Sequence, residues 1–323
     1  MQLIHRAARG LGQLACAGLL AMTSLSAHAQ IDTLKVMIGA NPGGGFDQTG
    51  RGIAAAMQAA GAVRTTTFEN KGGAGGAIGL AQFVNTEKGN PNAMIVTGAV
   101  MVGGIEMSKS PVSLRNATPI ARLFADTLVI VVPAASKIQS MSDLMSQFKA
   151  NPGSVSWGGG SRGSVDHIMV GLIAREAGVE AAKANYIPFA GGGEATAAIL
   201  GNQVTVGVAG LSEFLPFVKD GKMRALAVSS SSATQGIKPL KEQGINVEIY
   251  NWRGVYGAPG ITAEQQKALI DAVIKGTQTP QWKETLARND WAPFVVTGAE
   301  FGTYVDSETR RLGGILRDLG LIK

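Results

Sequence analysis

The chain has a single cysteine, Cys16, and three histidines, of which only His167 lies outside the first 29 residues. A disulfide framework is therefore excluded, and a zinc site has almost no ligands to draw on. Charged residues are scarce, at 16%. Nowhere do lysines and arginines form a dense stripe interleaved with aromatics, which excludes the usual nucleic-acid-binding surface. Beyond residue 30 no apolar run approaches the roughly 18 residues of a membrane-spanning helix. The phosphate-binding pattern G-x-x-x-x-G-K-[ST] does not occur, and Gly221-Lys222-Met223 is the nearest failure. Heptads, low-complexity tracts and long repeats are missing as well.

Residues 1–29 read as an export leader. Arg6 and Arg9 supply a positive start, Leu11 to Leu20 an apolar stretch too short for a bilayer, and Ala27-His28-Ala29 a small-residue cleavage site. Cleavage after Ala29 places the mature start at Gln30, and the expected location is the periplasm. A retained anchor is the alternative. A lipoprotein is disfavoured because Gln13-Leu14-Ala15 is a poor lipobox and Cys16 lies too early in the apolar stretch. Two of the 29 lysines and arginines and none of the 23 acids fall in the leader, so residues 30–323 carry a net charge of +4. That modest field suits small anions. The remaining length is enough for two domains whose cores need no covalent staples.

Glycine, by contrast, is plentiful and clustered. Pro42-Gly43-Gly44-Gly45-Phe46-Asp47, Gly158-Gly159-Gly160-Ser161-Arg162-Gly163-Ser164 and Ala190-Gly191-Gly192-Gly193-Glu194 each follow a strand-like run and precede a helix-like one. Glycine there permits a tight turn and close approach of a ligand to the backbone. The helix that follows presents unpaired N–H groups and the positive end of its dipole. Such a turn is an anion-binding device made of backbone.

Strand and helix alternate along most of the chain. Strands are expected at 34–38, 65–68 and 93–97, with helices over 47–60 and 77–85, a pattern of βαβ units and parallel sheets. Leu128-Val129-Ile130-Val131-Val132-Pro133 reads as a strand buried on both faces and as the crossing into a second domain. There the series restarts: strands at 155–157, 185–189, 204–208 and 225–228, helices over 164–177 and 194–200. A return crossing is expected near Val247 to Trp252. Thr262 with Gln265 and Thr297 with Glu300 form capping-box pairs that open two late helices. The layout is two lobes, 30–127 plus 252–323 and 128–251, joined by two crossings with a cleft between them. Thr97 to Met101 is expected to line the cleft from the first lobe.

Two catalytic motifs overlap in the second glycine loop. Gly159-Gly160-Ser161-Arg162-Gly163 matches the G-x-S-x-G nucleophile elbow. Its only available histidine, His167, sits six residues on, inside the helix that the elbow would open, where it can hardly act as general base. Ser161 is better read as a helix N-cap that also touches ligand. Gly158, Gly160 and Gly163 also spell G-x-G-x-x-G, but the acid expected at the end of the next strand is missing at Phe189-Ala190. Asp47 and Asp166 lie in these loops and either cap their own helices or face ligand. Arg162 is either solvated or pairs with a ligand carboxylate. Arg253, in Trp252-Arg253-Gly254, either faces the cleft or makes a hinge contact, and His167 is more simply a packed residue.

These segments carry a resemblance. Ala40 to Thr49, Gly72 to Gly79, Val155 to Ser161 with Asp166-His167, Phe189 to Ala195 and Asn251-Trp252-Arg253-Gly254 together resemble the periplasmic receptors of tripartite tricarboxylate transporters, the Bug family, in its citrate-type branch. The late Trp282 and Asn289-Asp290-Trp291 fit as well. The likeness runs from about Leu34 to the C-terminus. It implies an α/β fold of the type II periplasmic binding class that closes on a carboxylate. On the family pattern Gly44, Gly45, Phe46 and Asp47 form one jaw, and Ser161, Arg162, Gly163, Ser164, Gly191, Gly192 and Gly193 the other. Arg162 and Ser164 stand where smaller residues or glycine are more usual. The expectation is a monomeric solute-binding protein without cofactor, metal or catalysis. It would take a citrate-like tricarboxylate or a related smaller acid, and would partner membrane permease subunits but not nucleic acid. A secreted serine hydrolase using Ser161, or a receptor reporting to a sensor kinase, are the alternatives.

Overall fold

The computed structural model describes residues 30–323, so the leader, its cleavage after Ala29 and Cys16 lie outside the described residues. Ten strands and ten α-helices follow in that span: β1 Ile31–Ile38, α1 Gly45–Ala59, β2 Val63–Asn70, α2 Ala77–Thr86, β3 Ala93–Gly98, α3 Ala99–Ser108, β4 Thr118–Pro133 and α4 Met141–Ala150 come first. Then come β5 Ser156–Gly159, α5 Val165–Glu176, β6 Asn185–Pro188, α6 Gly192–Leu200, β7 Val206–Gly210, α7 Leu211–Lys219, β8 Met223–Val228 and β9 Tyr250–Gly257. The chain ends with α8 Ala263–Thr277, α9 Pro280–Asn289, β10 Ala292–Thr297 and α10 Gly298–Asp318. Residues Ile31–Lys323 pack as one unit. Among the described residues no helix is long and apolar enough to cross a membrane.

The strand order is β2-β1-β3-β9-β4-β7-β5-β6, with β8 and β10 also paired to β4. The expected parallel pairing holds for β1 with β2 and β3, and for β5 with β6 and β7. It fails at the centre, where β3 and β4 run antiparallel to β9, and β4 runs antiparallel to β7, β8 and β10. The reason is connectivity. β4 and β9 carry the chain in opposite directions between two groups of βαβ units, so each must oppose its neighbours. β4 spans 16 residues, and its partners change along its length. Thr118 to Thr127 pair with β9, and Leu128 to Pro133 with β7 and β8.

The apolar run in β4 is buried on both faces, as its composition predicts. Successive side chains alternate between faces. Leu128, Ile130 and Val132 enter the main core, whereas Val129 and Val131 enter a smaller one with Ile199, Leu211, Phe214 and Val228. All five β4 residues are fully buried, each contributing about 1.5–3 kcal/mol relative to exposure. Around the return strand, Phe124 stacks on Trp291 at 3.9 Å and 10°, and Trp252 meets Phe301 edge-on at 5.8 Å.

Helix starts follow local chemistry. Thr262 and Gln265 form the expected capping box of α8. Thr297 does not cap α10 with its side chain, because the chain enters that helix through Gly298 at φ +54°. Ser161 is not the N-cap of α5 either. The chain first makes a turn closed by Ser164 N–H to Ser161 C=O at 2.9 Å, with Gly163 at φ +79°, and Ser164 then caps the helix by accepting from His167 N–H at 3.3 Å.

Candidate functional site

The glycine loops meet around one cavity of about 60 Å³, room for several waters or one small molecule. From the loop after β1 come Gly44, Gly45 and Phe46; from the loop after β5, Gly160 and Ser161; from the loop after β6, Gly191 and Gly192. Gly75 and Val100 complete the wall on the β1 side, the latter from the segment expected to line the cleft. Hydrogen bonds join the loops across this gap. Gly75 N–H donates to Ser161 Oγ at 2.9 Å, and Asn41 Nδ2 reaches Glu194, whose other oxygen accepts Ala190 N–H at 3.2 Å.

The other expected residues sit outside the lining. Asp47 ties its own loop together, accepting from Gly43 N–H at 3.2 Å, Arg51 Nε at 2.9 Å and Asn70 Nδ2 at 3.1 Å. Burial alone would raise its pKa, but these donors together outweigh it and hold the carboxyl below the usual range. Arg162 is exposed in an adjoining depression with Gly73, Ala74 and Met107, which shares Ser161, Phe189 and Ala190 with the cavity. Gly163 packs against Gly103 and Met107, Ser164 caps α5, and Gly193 faces Pro42 and Gly43. His167 accepts from Gly163 N–H through Nδ1 at 3.1 Å and stacks on Tyr186 at 4.3 Å. Burial, with Arg162 nearby, lowers its pKa to about 4.

The cavity also holds a set of charges. Arg253, 3% exposed, lines it and lies over the Phe46 ring at 4.8 Å. Its Nη1 donates to Asn251 Oδ1 at 2.5 Å. Among the described residues Arg253 makes no ion pair within 4 Å. Asp166 and Glu213 line the same cavity, with Asp126 buried behind them beside Ser212. Asp166 Oδ2 accepts from Gly160 N–H at 2.9 Å, and the nearby Gly45 and Gly210 amides favour the charged form of Glu213. Burial pushes Asp166 up to about 6 and Glu213 up to about 7, and Asp126 well above its ordinary value, although Arg253 opposes each rise. Three polar atoms of this group have no partner: Asp166 Oδ1, Asp126 Oδ1 and Asn251 Nδ2.

Gly45 shows why the loop is built of glycine. A Cβ there would sit 2.6 Å from Arg253 Nη2 and 3.1 Å from Glu213 Oε1. The sequence reading missed Glu213 and Asn251. Glu213 lies in a helix with Pro216 inside it, entered through the single Gly210 and not through a glycine cluster, so no motif marks it. Asn251 sits beside the Trp252-Arg253 pair that did draw notice. Among the described residues no group of three or more His, Cys, Asp or Glu side chains is placed to hold a metal ion.

Comparison with known proteins agrees with this architecture. The family model described as tripartite tricarboxylate transporter family receptor matches residues 51–321. A UPF0065 protein from the gbd 5' region of Cupriavidus necator is 27% identical over 100% of this chain and 99% of its own length. Protein BugT of Bordetella pertussis is 25% identical over 93% of this chain and 95% of its own. Among solved structures, the periplasmic binding protein BugD superposes with a TM-score of 0.80 at 19% identity, over 90% of this chain and 98% of its own. MatC from Rhodopseudomonas palustris with bound malate gives 0.78 at 19% identity, covering 88% and 99%. An R. palustris protein with adipate gives 0.80 at 19%, covering 90% and 97%. The fold is that of a periplasmic binding protein, and the chain belongs to the tripartite tricarboxylate transporter receptor family.

Proposed function

We propose that this protein is a periplasmic solute-binding receptor, exported by cleavage after Ala29, that captures a small carboxylate and delivers it to the permease subunits of a tripartite transporter. The observation that carries the reading is the convergence of three strand-to-helix glycine loops on one cavity that also contains Arg253, a cation with no ion pair within 4 Å among the described residues. An ionised donor facing a carboxylate makes the stronger class of hydrogen bond, about 1.5–3 kcal/mol. Several such contacts suffice for micromolar binding after association costs. Malate and adipate in the structural neighbours support an acid as ligand. A citrate-like acid remains one member of the class.

The working unit is two lobes, 30–127 plus 252–323 and 128–251, that close as a hinge. The change of β4 partners at Leu128 supports this division. Catalysis is no part of the reading. Ser161 Oγ is engaged by Gly75 N–H and His167 Nδ1 by Gly163 N–H, and among the described residues no hydrogen bond joins the two side chains. The test is a thermal-shift and calorimetric panel of carboxylic acids on the mature protein. A ligand at 100 times its Kd adds about 2.7 kcal/mol of stability. If no acid raises the melting temperature, and esters are instead turned over in a Ser161-dependent way, the receptor reading fails.

A further inference from the structure

We propose a second anion site on the face of β9 opposite the ligand cavity, where the Arg122 guanidinium takes the carboxylate of a small monocarboxylic acid with an apolar body. This goes beyond the receptor reading and does not depend on it. Side chains along a strand alternate between faces. Asn251 and Arg253 line the ligand cavity, whereas Tyr250 and Trp252 line an open groove of about 430 Å³. Arg122 and Ala125 of β4 line the groove too. Three apart, they would face opposite sides of a regular strand, but the register of β4 on β9 slips between Arg122 and Phe124. Such a bulge re-aims a side chain. A second slip, between Pro293 and Val296 of β10, contains Phe294. The Phe294 ring lies 3.7 Å from the Arg122 guanidinium carbon and the Tyr304 ring 4.4 Å.

Arg122 carries the argument. It is 8% exposed, and among the described residues its guanidinium makes no hydrogen bond and no ion pair, with Nε buried and unpartnered. The acids of the groove are taken. Glu308 accepts from Trp252 Nε1 and from Arg311 through both oxygens, and Glu248 accepts from Lys241 Nζ at 2.5 Å. One cation is left over. Aromatic rings cover the faces of a guanidinium but leave its in-plane N–H donors unmet. Burial lowers the Arg122 pKa against the pull of Tyr304 and Glu308. Holding a buried cation without a counter-ion is costly, and buried donors in native proteins are nearly always satisfied. A carboxylate matches the guanidinium edge, two oxygens to two N–H groups. One surplus charge calls for a monoanion. Ala125, Ile249 and the rings of Tyr250 and Tyr304 wall the rest of the groove, which has the size of a small-molecule pocket.

The experiment is calorimetry together with NMR of the tryptophan indole N–H signals, on the mature protein with benzoate as probe. Benzoate should bind in the millimolar range or tighter and shift the Trp252 signal, assigned with Trp252→Phe. Benzamide has the same body without the charge, and acetate the charge without the body. Each, and inorganic phosphate, should bind at least ten-fold more weakly than benzoate. Arg122→Gln should lose ten-fold or more of the benzoate affinity. Tyr250 is exposed, so Tyr250→Ala spares the core, and it should weaken benzoate several-fold. If Arg122→Gln does not fold, Tyr250→Ala and the ratio of benzoate to benzamide decide. The proposal is overturned if benzoate does not bind or leaves the Trp252 signal unmoved, which would place any binding in the ligand cavity. It is equally overturned if benzamide, acetate or phosphate binds as tightly as benzoate, or if either folded variant binds benzoate like the parent.

Discussion

Gly44 and Gly192 approach so closely that neither has room for a side chain. A Cβ on Gly44 would lie 2.7 Å from Gly192 N, and one on Gly192 would lie 2.9 Å from Gly44 Cα and overlap Glu213 Oε2. The two residues belong to the first and third glycine loops, far apart in sequence, and their contact brings those loops together over the cavity. The Glu213 carboxylate sits at the same seam.

Gly192→Ala should therefore obstruct that contact rather than the fold. Gly192 is the first residue of α6, and alanine is a better helix former than glycine. The expected result is a melting temperature within a few degrees of the parent and a loss of ligand affinity of ten-fold or more by calorimetry. A variant that binds as tightly as the parent would show that these two loops need not touch in the bound state.

Ser161 and Ser164 separate binding from stability within one loop. Ser164 is fully buried and caps α5 through His167 N–H. Ser164→Ala should cost about 1 kcal/mol of stability, the usual loss for such a cap. Ser161 lies at the cavity and takes the Gly75 amide from another loop. Ser161→Ala should lower affinity several-fold with little change in denaturant midpoint. Equal losses of stability in both variants would contradict this division.

That division also marks where reading the sequence stops. The loops, most strands and the helices that flank them are legible because glycine after a β-branched run and a capping serine or threonine are local signals. The β4 run was readable for the same reason, since Leu128 to Val132 are apolar without interruption. The cavity charges are not local. Asp126 is on β4, Asp166 on α5, Glu213 on α7 and Arg253 on β9, and only the folded sheet places them together. Central antiparallel pairing was equally hidden, because it follows from where β9 returns. The exposed strand β10 lacks the buried alternation that would announce it.

Glu308 tests the core beneath the return strand. Its Oε2 accepts from Trp252 Nε1 at 3.1 Å, and Arg311 grips both oxygens at 2.6 and 2.9 Å. Trp252 is 1% exposed and Glu308 7%. Glu308→Ala strands the indole N–H in the interior, a cost of about 1–3 kcal/mol. For a chain of this size that corresponds to a drop of several degrees in Tm, read by differential scanning calorimetry. Ligand affinity should hold, because neither residue lines the cavity. An unchanged Tm would mean that the bond adds nothing net.

The buried acids give the stability a pH dependence whose sign is fixed by the direction of their shifts. Burial raises Glu213 from 4.5 to about 7 and Asp166 from 3.8 to about 6 on folding, with Arg253 opposing both and Asp126 packed close by. A carboxyl whose folded pKa is raised contributes stability below its unfolded value and loses it as pH climbs through the folded value. His167 acts in the opposite sense. Its pKa falls from 6.5 to about 4, so its contribution is present above 6.5 and fades as pH drops towards 4. The parent curve sums these opposed slopes, and the difference against Glu213→Gln isolates one of them. Glutamine does not ionise, so this variant should gain on the parent progressively between about pH 4.5 and 7.5 and level off above. Urea midpoints across that range measure it, and a constant difference would mean that Glu213 titrates in the folded protein as it does in the unfolded chain.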